Sequence, residues 1–488
     1  RFNTLTRQPW GLAADQRPST HPVAGNGAED AAAALLDFDG ISYAKGSSVL
    51  RQLNARLGDE VFLGGARLHL ERHRFGNATM ADLVDSWHDA GAHDVDGFLE
   101  GWLRCAGVDE LSADRSGQAI RVSPPADNHA HRTHDVRVAL GGAVPGTWQV
   151  ESVVVPPLGC SLELPTDRPV VIDPDVRTWA VTLIDDVTLA QLPTALRATA
   201  DRDLRAGIWS SLRATFDSGQ VPAEVLVELL VGCIPTEDDE LALQAPVAWL
   251  SAEAVLAAAD PRAAKAALHA AYRQRLDTAT PGSPLQFTAL RAAVRTSQDP
   301  AWLRPLAEAT AHPDGVVVDA DLAWLARVRL SAEGGCEVAE LDRWLAADPT
   351  AKALVAHTRA RSAAPTVAAK EFAWDRFTGR VNVANYEIEG AGEAMWTPGQ
   401  ESIWGPFVER YFTDVQGTDQ VRHGWMLAEA ATAFFPDIAL DEGVVALAEA
   451  TASRPDLDHS LVRVLRDEAS DLARRIRRRA AGGPAEPR

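Results

Sequence analysis

Apolar positions along the chain change their period twice. From residue 38 to about 108 they recur at helical spacing, and Val49, Leu50, Leu53 and Leu57 are assigned to one face. The segment TMAD at 79–82 is a capping-box-like helix start, followed by Leu83, Val84 and Trp87. Phe98 and Trp102, four positions apart, mark a further short helix. From about residue 118 to 186 the period drops to two. Val136, Val138 and Leu140 alternate with polar residues, as do Trp148 and Val150, and later Trp179, Val181 and Leu183. GG at 141–142, PG at 145–146 and DP at 173–174 punctuate these runs, which predict a small antiparallel β-sandwich. From about residue 188 to 479 the helical period returns. Leu204, Ile208, Leu212 and Phe216 form one stripe, SGQVP ends that helix, and Pro222 can start the next. Helix–turn–helix pieces continue past Trp249, Leu290, Trp302, Trp324 and Trp344, with the rhythm of a stacked-helix array but no strict repeat.

The expected architecture is therefore multidomain and mainly α. A helical region spans 1–115, a β-sandwich 116–187, a large solenoid-like helical domain 188–480 and a disordered tail 481–488. A length of 488 residues suits several domains rather than one core. No apolar run reaches the roughly 18 residues of a membrane span, and no signal-peptide pattern opens the chain. The chain begins RFNTLTRQPW, without methionine, which leads to the expectation that it starts partway through a longer polypeptide.

A formal net charge of −21 argues against nucleic acid as the main partner. The run RRIRRR at 474–479 is expected to be the solvated, dipole-matched end of a last helix. Cys105, Cys160, Cys233 and Cys336 are scattered without C-x-x-C, which fits buried thiols in a reducing cytoplasm.

Three constellations could carry chemistry. HLERH places His69 and His73 at i and i+4, but Glu71 stands two residues after the first histidine. The zinc peptidase helix H-E-x-x-H needs its glutamate directly after it, so an amphipathic surface helix is expected instead. HAHRTH gathers His129, His131 and His134 where a loop enters a strand, and is expected to be a polar interdomain loop rather than a metal site. The third is Tyr43, one of only four tyrosines, in the segment ISYAKGSSVL that opens a helix. By composition alone it is an ordinary core or surface residue.

The company of Tyr43 changes that reading. ISYAKGSSVL, then RHRFGNATMADLVDSW, then FLEGWLRCAGVDEL resemble the end of the catalytic domain in the aminopeptidase N family of zinc metallopeptidases. DQRPSTHPV at 15–23 is similar to that family's D-x-x-x-S-x-H-P loop just upstream. The segments IWSSLRATFDSGQVPAEVLVELL and WTPGQESIWGPFVERYF resemble parts of its C-terminal helical domain. The resemblance implies the helical end of a thermolysin-like catalytic domain, a β-sandwich and a helical C-terminal domain.

It also implies that Tyr43 is catalytic, a phenol that donates to the oxyanion of a tetrahedral intermediate beside zinc. A phenol of ordinary acidity, with a pKa of about 10, keeps the proton this needs. Lys45 and Gly46 match the motif and are expected to be structural, as a charged neighbour of the helix start and a turn residue. No H-E-x-x-H, distal glutamate or G-A-M-E-N segment is present, so no residue here is assigned to the metal.

The expectation is the C-terminal portion of a cytoplasmic, monomeric zinc aminopeptidase. Its zinc ligands and general base would lie upstream, its substrates would be peptides with free N-termini, and its partner would be the N-terminal half. The alternative is a non-catalytic helical scaffold for protein or peptide partners.

Overall fold

A computed structural model describes residues 2–25, 39–125 and 130–482. The tail expected at 481–488 lies outside the described residues from 483 onward. The chain divides into two compact units, Arg1–Thr215 and Phe216–Arg488.

The first unit combines helices with two small sheets. Its helices are α1 (Gln8–Asp15), α2 (Gly46–Leu57), α3 (Asp59–Arg72), α4 (Met80–Asp89) and α5 (Val95–Leu103). The capping box at α4 is formed: Thr79 Oγ1 accepts from the Asp82 amide, and Asp82 Oδ2 accepts from the Thr79 amide at 2.7 Å. Val49 and Leu53 are fully buried in one cluster with Trp87, Phe98 and Trp102. Leu50 is 41 % exposed. It sits about 100° round the helix from Val49, so it does not share the buried stripe of Val49 and Leu53.

The strands are β1 (Asp109–Asp114), β2 (Ala119–Ser123), β3 (His134–Gly141), β4 (Trp148–Val155), β5 (Cys160–Ser161), β6 (Val170–Ile172) and β7 (Ala180–Thr182). One sheet runs β5-β2-β1-β7 and the other β4-β3-β6. Leu111, Ile120, Val136, Val138, Val170 and Ile172 fill the space between. Pairing is antiparallel except for β1 and β7, which run parallel in register Asp109↔Ala180, so the sandwich is not wholly antiparallel. Trp179, next to β7, is fully buried in the helical cluster of α2, α4 and α5 and ties the sandwich to it. Two further helices follow, α6 (Asp186–Ala198) and α7 (Arg202–Asp217).

The second unit is helical. In order it contains α8 (Ala223–Cys233), α9 (Ala248–Ala257), α10 (Pro261–Thr278), α11 (Pro284–Thr296), α12 (Pro300–Ala307), α13 (Ala320–Ala332), α14 (Val338–Ala347), α15 (Ala351–Ala363), α16 (Val367–Phe377), α17 (Asn385–Met395), α18 (Glu401–Asp414), α19 (Trp425–Phe434), α20 (Glu442–Ala452) and α21 (His459–Ala480). Alternate helices stack: α13 on α15, α15 on α17, α17 on α19, and α19 on α21. Sequence punctuation explains the regular breaks. Asp260, Ser283 and Asp299 each cap a helix with a side-chain oxygen, and each is followed by proline at the first helical position. No helix among the described residues is long and apolar enough to cross a membrane.

The arginine run departs from expectation. Arg477 and Arg479 are exposed as expected, but Arg478 is buried and Arg475 is only partly exposed. Glu253, itself 7 % exposed, accepts from Arg475 at 3.0 Å and from Arg478 at 2.6 Å, while Arg478 also pairs with Asp217. The strongly amphipathic α21 turns this face of its last two turns into the unit, so packing overrides the simple dipole argument. Glu253→Ala would leave two guanidinium groups underpaired, and a loss of about 3–5 kcal/mol is expected. The urea midpoint of the chain measures it.

Lys370 is fully buried, and its ammonium donates to the Ser362 carbonyl in the last turn of α15 at 2.9 Å. Burial pushes its pKa down from 10.5 to about 7. Between those values the unfolded chain holds a proton that the folded chain has released, so stability falls as pH drops from 10.5 towards 7. Lys370→Met is expected to flatten that part of the pH–stability curve, as thermal unfolding at stepped pH would show.

Candidate functional site

Tyr43 lies in a π-helical turn, Ile41–Lys45, that runs straight into α2. Such wide turns are uncommon and concentrate at functional sites. Ile41, Ala44 and Lys45 of this turn are buried, whereas Tyr43 is 48 % exposed. The phenol is thus presented from a turn whose other side chains anchor it.

Two segments meet here through His21 and Asp39, which are 18 positions apart. Asp39 opens the turn: its Oδ1 accepts from the Ile41 amide at 2.8 Å and the Ser42 amide at 3.3 Å. His21 Nε2 lies 3.2 Å from Asp39 Oδ2, and His21 Nδ1 lies 2.9 Å from the Pro22 carbonyl. Burial opposes ionisation of Asp39, but the His21 ring and the two amides outweigh it and hold the carboxyl below its usual range. One face of the turn approaches α1 at Gly11 and Gly40. A Cβ on Gly40 would stand 2.6 Å from Gly11 Cα, and one on Gly11 would stand 2.6 Å from the Trp179 ring. Any side chain at either position would push the Tyr43 turn off α1.

Lys45 is the residue that sequence reasoning placed least well. It is not an exposed neighbour of the helix start. Its ammonium is fully buried, 3.0 Å from Asp15 Oδ2, and donates to the carbonyls of Cys105 at 3.0 Å and Gly107 at 3.3 Å. All three of its donors are engaged. Asp15 in turn accepts from Trp179 Nε1 at 2.7 Å, the Gly107 amide at 2.9 Å and Thr20 Oγ1 at 2.5 Å. Burial draws the Lys45 pKa down, and Asp15 partly restores it. Gly46 is not a turn residue either. Its backbone is helical, and an added Cβ would meet only Val23 at an ordinary 3.7 Å.

HAHRTH resolves into separate roles. His129 lies outside the described residues and His131 is exposed. His134 is fully buried, with Nε2 3.0 Å from Asp109 Oδ2 and Nδ1 2.8 Å from Thr178 Oγ1. Arg132, which carried no expectation, is buried beside it. It donates to Asp109 and to the carbonyls of Gly101, Cys105 and Ala106. Asp109 thus joins β1 to the end of α5, and the cluster is a structural bolt behind the Lys45–Asp15 pair. His69 on α3 and His73 just past its end stand ring to ring at 4.9 Å. Among the described residues no three His, Cys, Asp or Glu side chains converge to hold a metal. The residues present do not fit a zinc centre by themselves. None of the four cysteines is joined in a disulfide; Cys233 is buried, and Cys105, Cys160 and Cys336 are partly exposed, short of the burial expected for them.

Helices, a small sandwich and a stacked-helix unit in that order define an architectural class, multidomain and mainly α. Comparison with known proteins carries this to a family. Residues 170–474 match the family model "ERAP1-like C-terminal domain", and residues 3–102 match "Peptidase family M1 domain". The chain belongs to the M1 aminopeptidase family. It is 27 % identical to aminopeptidase N of Streptomyces lividans over 514 residues, which cover 98 % of this chain and 59 % of that protein. Over 86 residues, 18 % of this chain and 10 % of the relative, it is 38 % identical to the alanine/arginine aminopeptidase of Saccharomyces cerevisiae. Over 112 residues, 23 % of this chain and 14 % of the relative, it is 32 % identical to the tricorn protease-interacting factor F2 of Thermoplasma volcanium. The chain spans about three-fifths of the first of these relatives.

Proposed function

We propose that this chain is the C-terminal portion of a zinc aminopeptidase of the aminopeptidase N type, which removes N-terminal residues from peptides. Tyr43 carries the reading. Its exposure on a turn held by Asp39, His21 and the Gly11–Gly40 contact suits a side chain that must meet a ligand while its backbone stays fixed. Its part in the reaction is to donate the phenolic O–H to the scissile carbonyl oxygen as that oxygen gains negative charge. The donor is oriented before the charge develops, so little reorganisation is needed. The metal and the general base are assigned to residues outside this chain, because the described residues assemble no ligand set. The peptide substrates and the N-terminal half are the proposed partners, in a cytoplasmic monomer.

That same lack of a described ligand set favours the second reading, a helical scaffold without catalysis. One experiment separates them: aminoacyl-anilide hydrolysis and bound zinc, measured for this chain alone and for the complete polypeptide that contains it. The peptidase reading expects neither in the chain alone and both in the complete polypeptide. A complete polypeptide that binds no zinc and hydrolyses nothing would favour the scaffold.

A further inference from the structure

Within the C-terminal unit a cavity of about 250 Å³ lies among α9, α10 and α11 and reaches Pro398 and Ile438 in two later loops. Most of its wall is apolar, and no aspartate or glutamate lines it, in a chain whose formal net charge is −21. Two cations do line it, Lys265 and Arg295.

The hydroxyls beside them are already engaged. Ser251 Oγ donates to the Val247 carbonyl at 2.7 Å, so its 2.8 Å contact with Tyr272 is donated by the phenol. Thr296 Oγ1 donates to the Ala292 carbonyl at 2.9 Å. The side chains of Lys265 and Arg295, by contrast, make no hydrogen bond or ion pair with any described residue. Burial, with Arg329 adding to it, lowers Lys265 to about 7. Arg295 is exposed and Lys265 partly buried, and the cavity wall gives neither a counter-charge, which the carboxylate of a ligand would supply.

We propose that this cavity binds a small amphipathic carboxylate, with its carboxyl group at Lys265 and Arg295 and its hydrocarbon stem against Val255, Leu256 and Ile438. A bare inorganic anion would leave that apolar wall wet, and an alcohol would leave the cations unpaired. The volume is below the range of about 300–1,000 Å³ typical of drug-sized ligands, which limits the stem to a short chain. The assignment does not depend on the peptidase reading, since it uses no residue of the Tyr43 site.

Titration calorimetry of the 488-residue chain at neutral pH, with hexanoate, acetate, 1-hexanol and inorganic phosphate, tests it. Hexanoate is expected to bind one per chain, about tenfold or more tighter than each of the others. Lys265→Met and Arg295→Gln are each expected to weaken hexanoate by about tenfold with the far-ultraviolet spectrum unchanged, and Lys265→Arg to retain binding. The carboxylate could come from a free acid or a peptide end. Displacement of hexanoate by trialanine but not trialanine amide identifies a peptide end, displacement by neither identifies a free acid, and both results support the site. Hexanol or phosphate binding as tightly as hexanoate, no binding by any probe, or unchanged hexanoate affinity in both charge-removing variants would overturn the proposal.

Discussion

Lys45→Met is expected to destabilise the N-terminal unit by about 3–5 kcal/mol, the usual loss when one member of a buried ion pair is removed. The substitution keeps most of the volume but strips three interactions at once. Asp15 loses its cation while remaining about 1 % exposed, the Gly107 carbonyl loses its Lys45 donor, and the Cys105 carbonyl keeps only Arg132. Methionine offers these groups nothing, and each unpaired buried polar group adds its own desolvation cost. Asp15→Asn should be milder. The amide can still accept from Trp179 Nε1 or the Gly107 amide, so geometry survives while the charge balance does not.

The pair Lys45→Met with Asp15→Leu should lose less than the sum of the two single changes, because no uncompensated charge remains. Urea unfolding of the four proteins gives the cycle. Additive losses would mean that Lys45 acts through packing alone. Peptidase turnover in the complete polypeptide should fall with Lys45→Met even where folding is rescued by low temperature, since Tyr43 stands two residues away on the same turn.

What was legible in the sequence was local. Leu204, Ile208, Leu212 and Phe216 repeat every four residues, and all four are buried, because helical period and core-facing stripe are the same fact. The capping box at Thr79 and the alternation of Val136 and Val138 are local in the same sense. The family motifs were readable, but the reason they sit where they do was not. Asp15 and Lys45 are 30 positions apart, Asp39 and His21 are 18 apart, and Glu253 meets Arg475 across 222. Nothing in the period of apolar residues encodes such pairings.

Charged residues also mislead when taken singly. Arg475 and Arg478 read as solvated groups and Lys45 as a neighbour of the helix start, yet each is drawn inward by a carboxylate supplied from a distant segment. The π turn was equally hidden. ISYAK has no residue that forbids an ordinary α-helix, and the extra residue is accommodated where Asp39 takes the first two amides of the turn.

The largest expected effect concerns Tyr43. Phenylalanine fills the same space and keeps the turn but removes the O–H. If the phenol stabilises only the charged intermediate, the loss belongs to the transition state and not to substrate binding. Removing one such donor lowers turnover by roughly a hundredfold to a thousandfold. The half-exposed position predicts little effect on stability, so the urea midpoint should stay put. Asp39→Ala offers a graded companion. It leaves the phenol in place but frees the turn, and it should lower turnover less than Tyr43→Phe while shifting the unfolding midpoint downward.

The most direct test is steady-state hydrolysis of an aminoacyl anilide by the complete polypeptide carrying Tyr43→Phe. A fall in kcat of roughly a hundredfold or more, with KM nearly unchanged, is the predicted result. Wild-type turnover in that variant would contradict it.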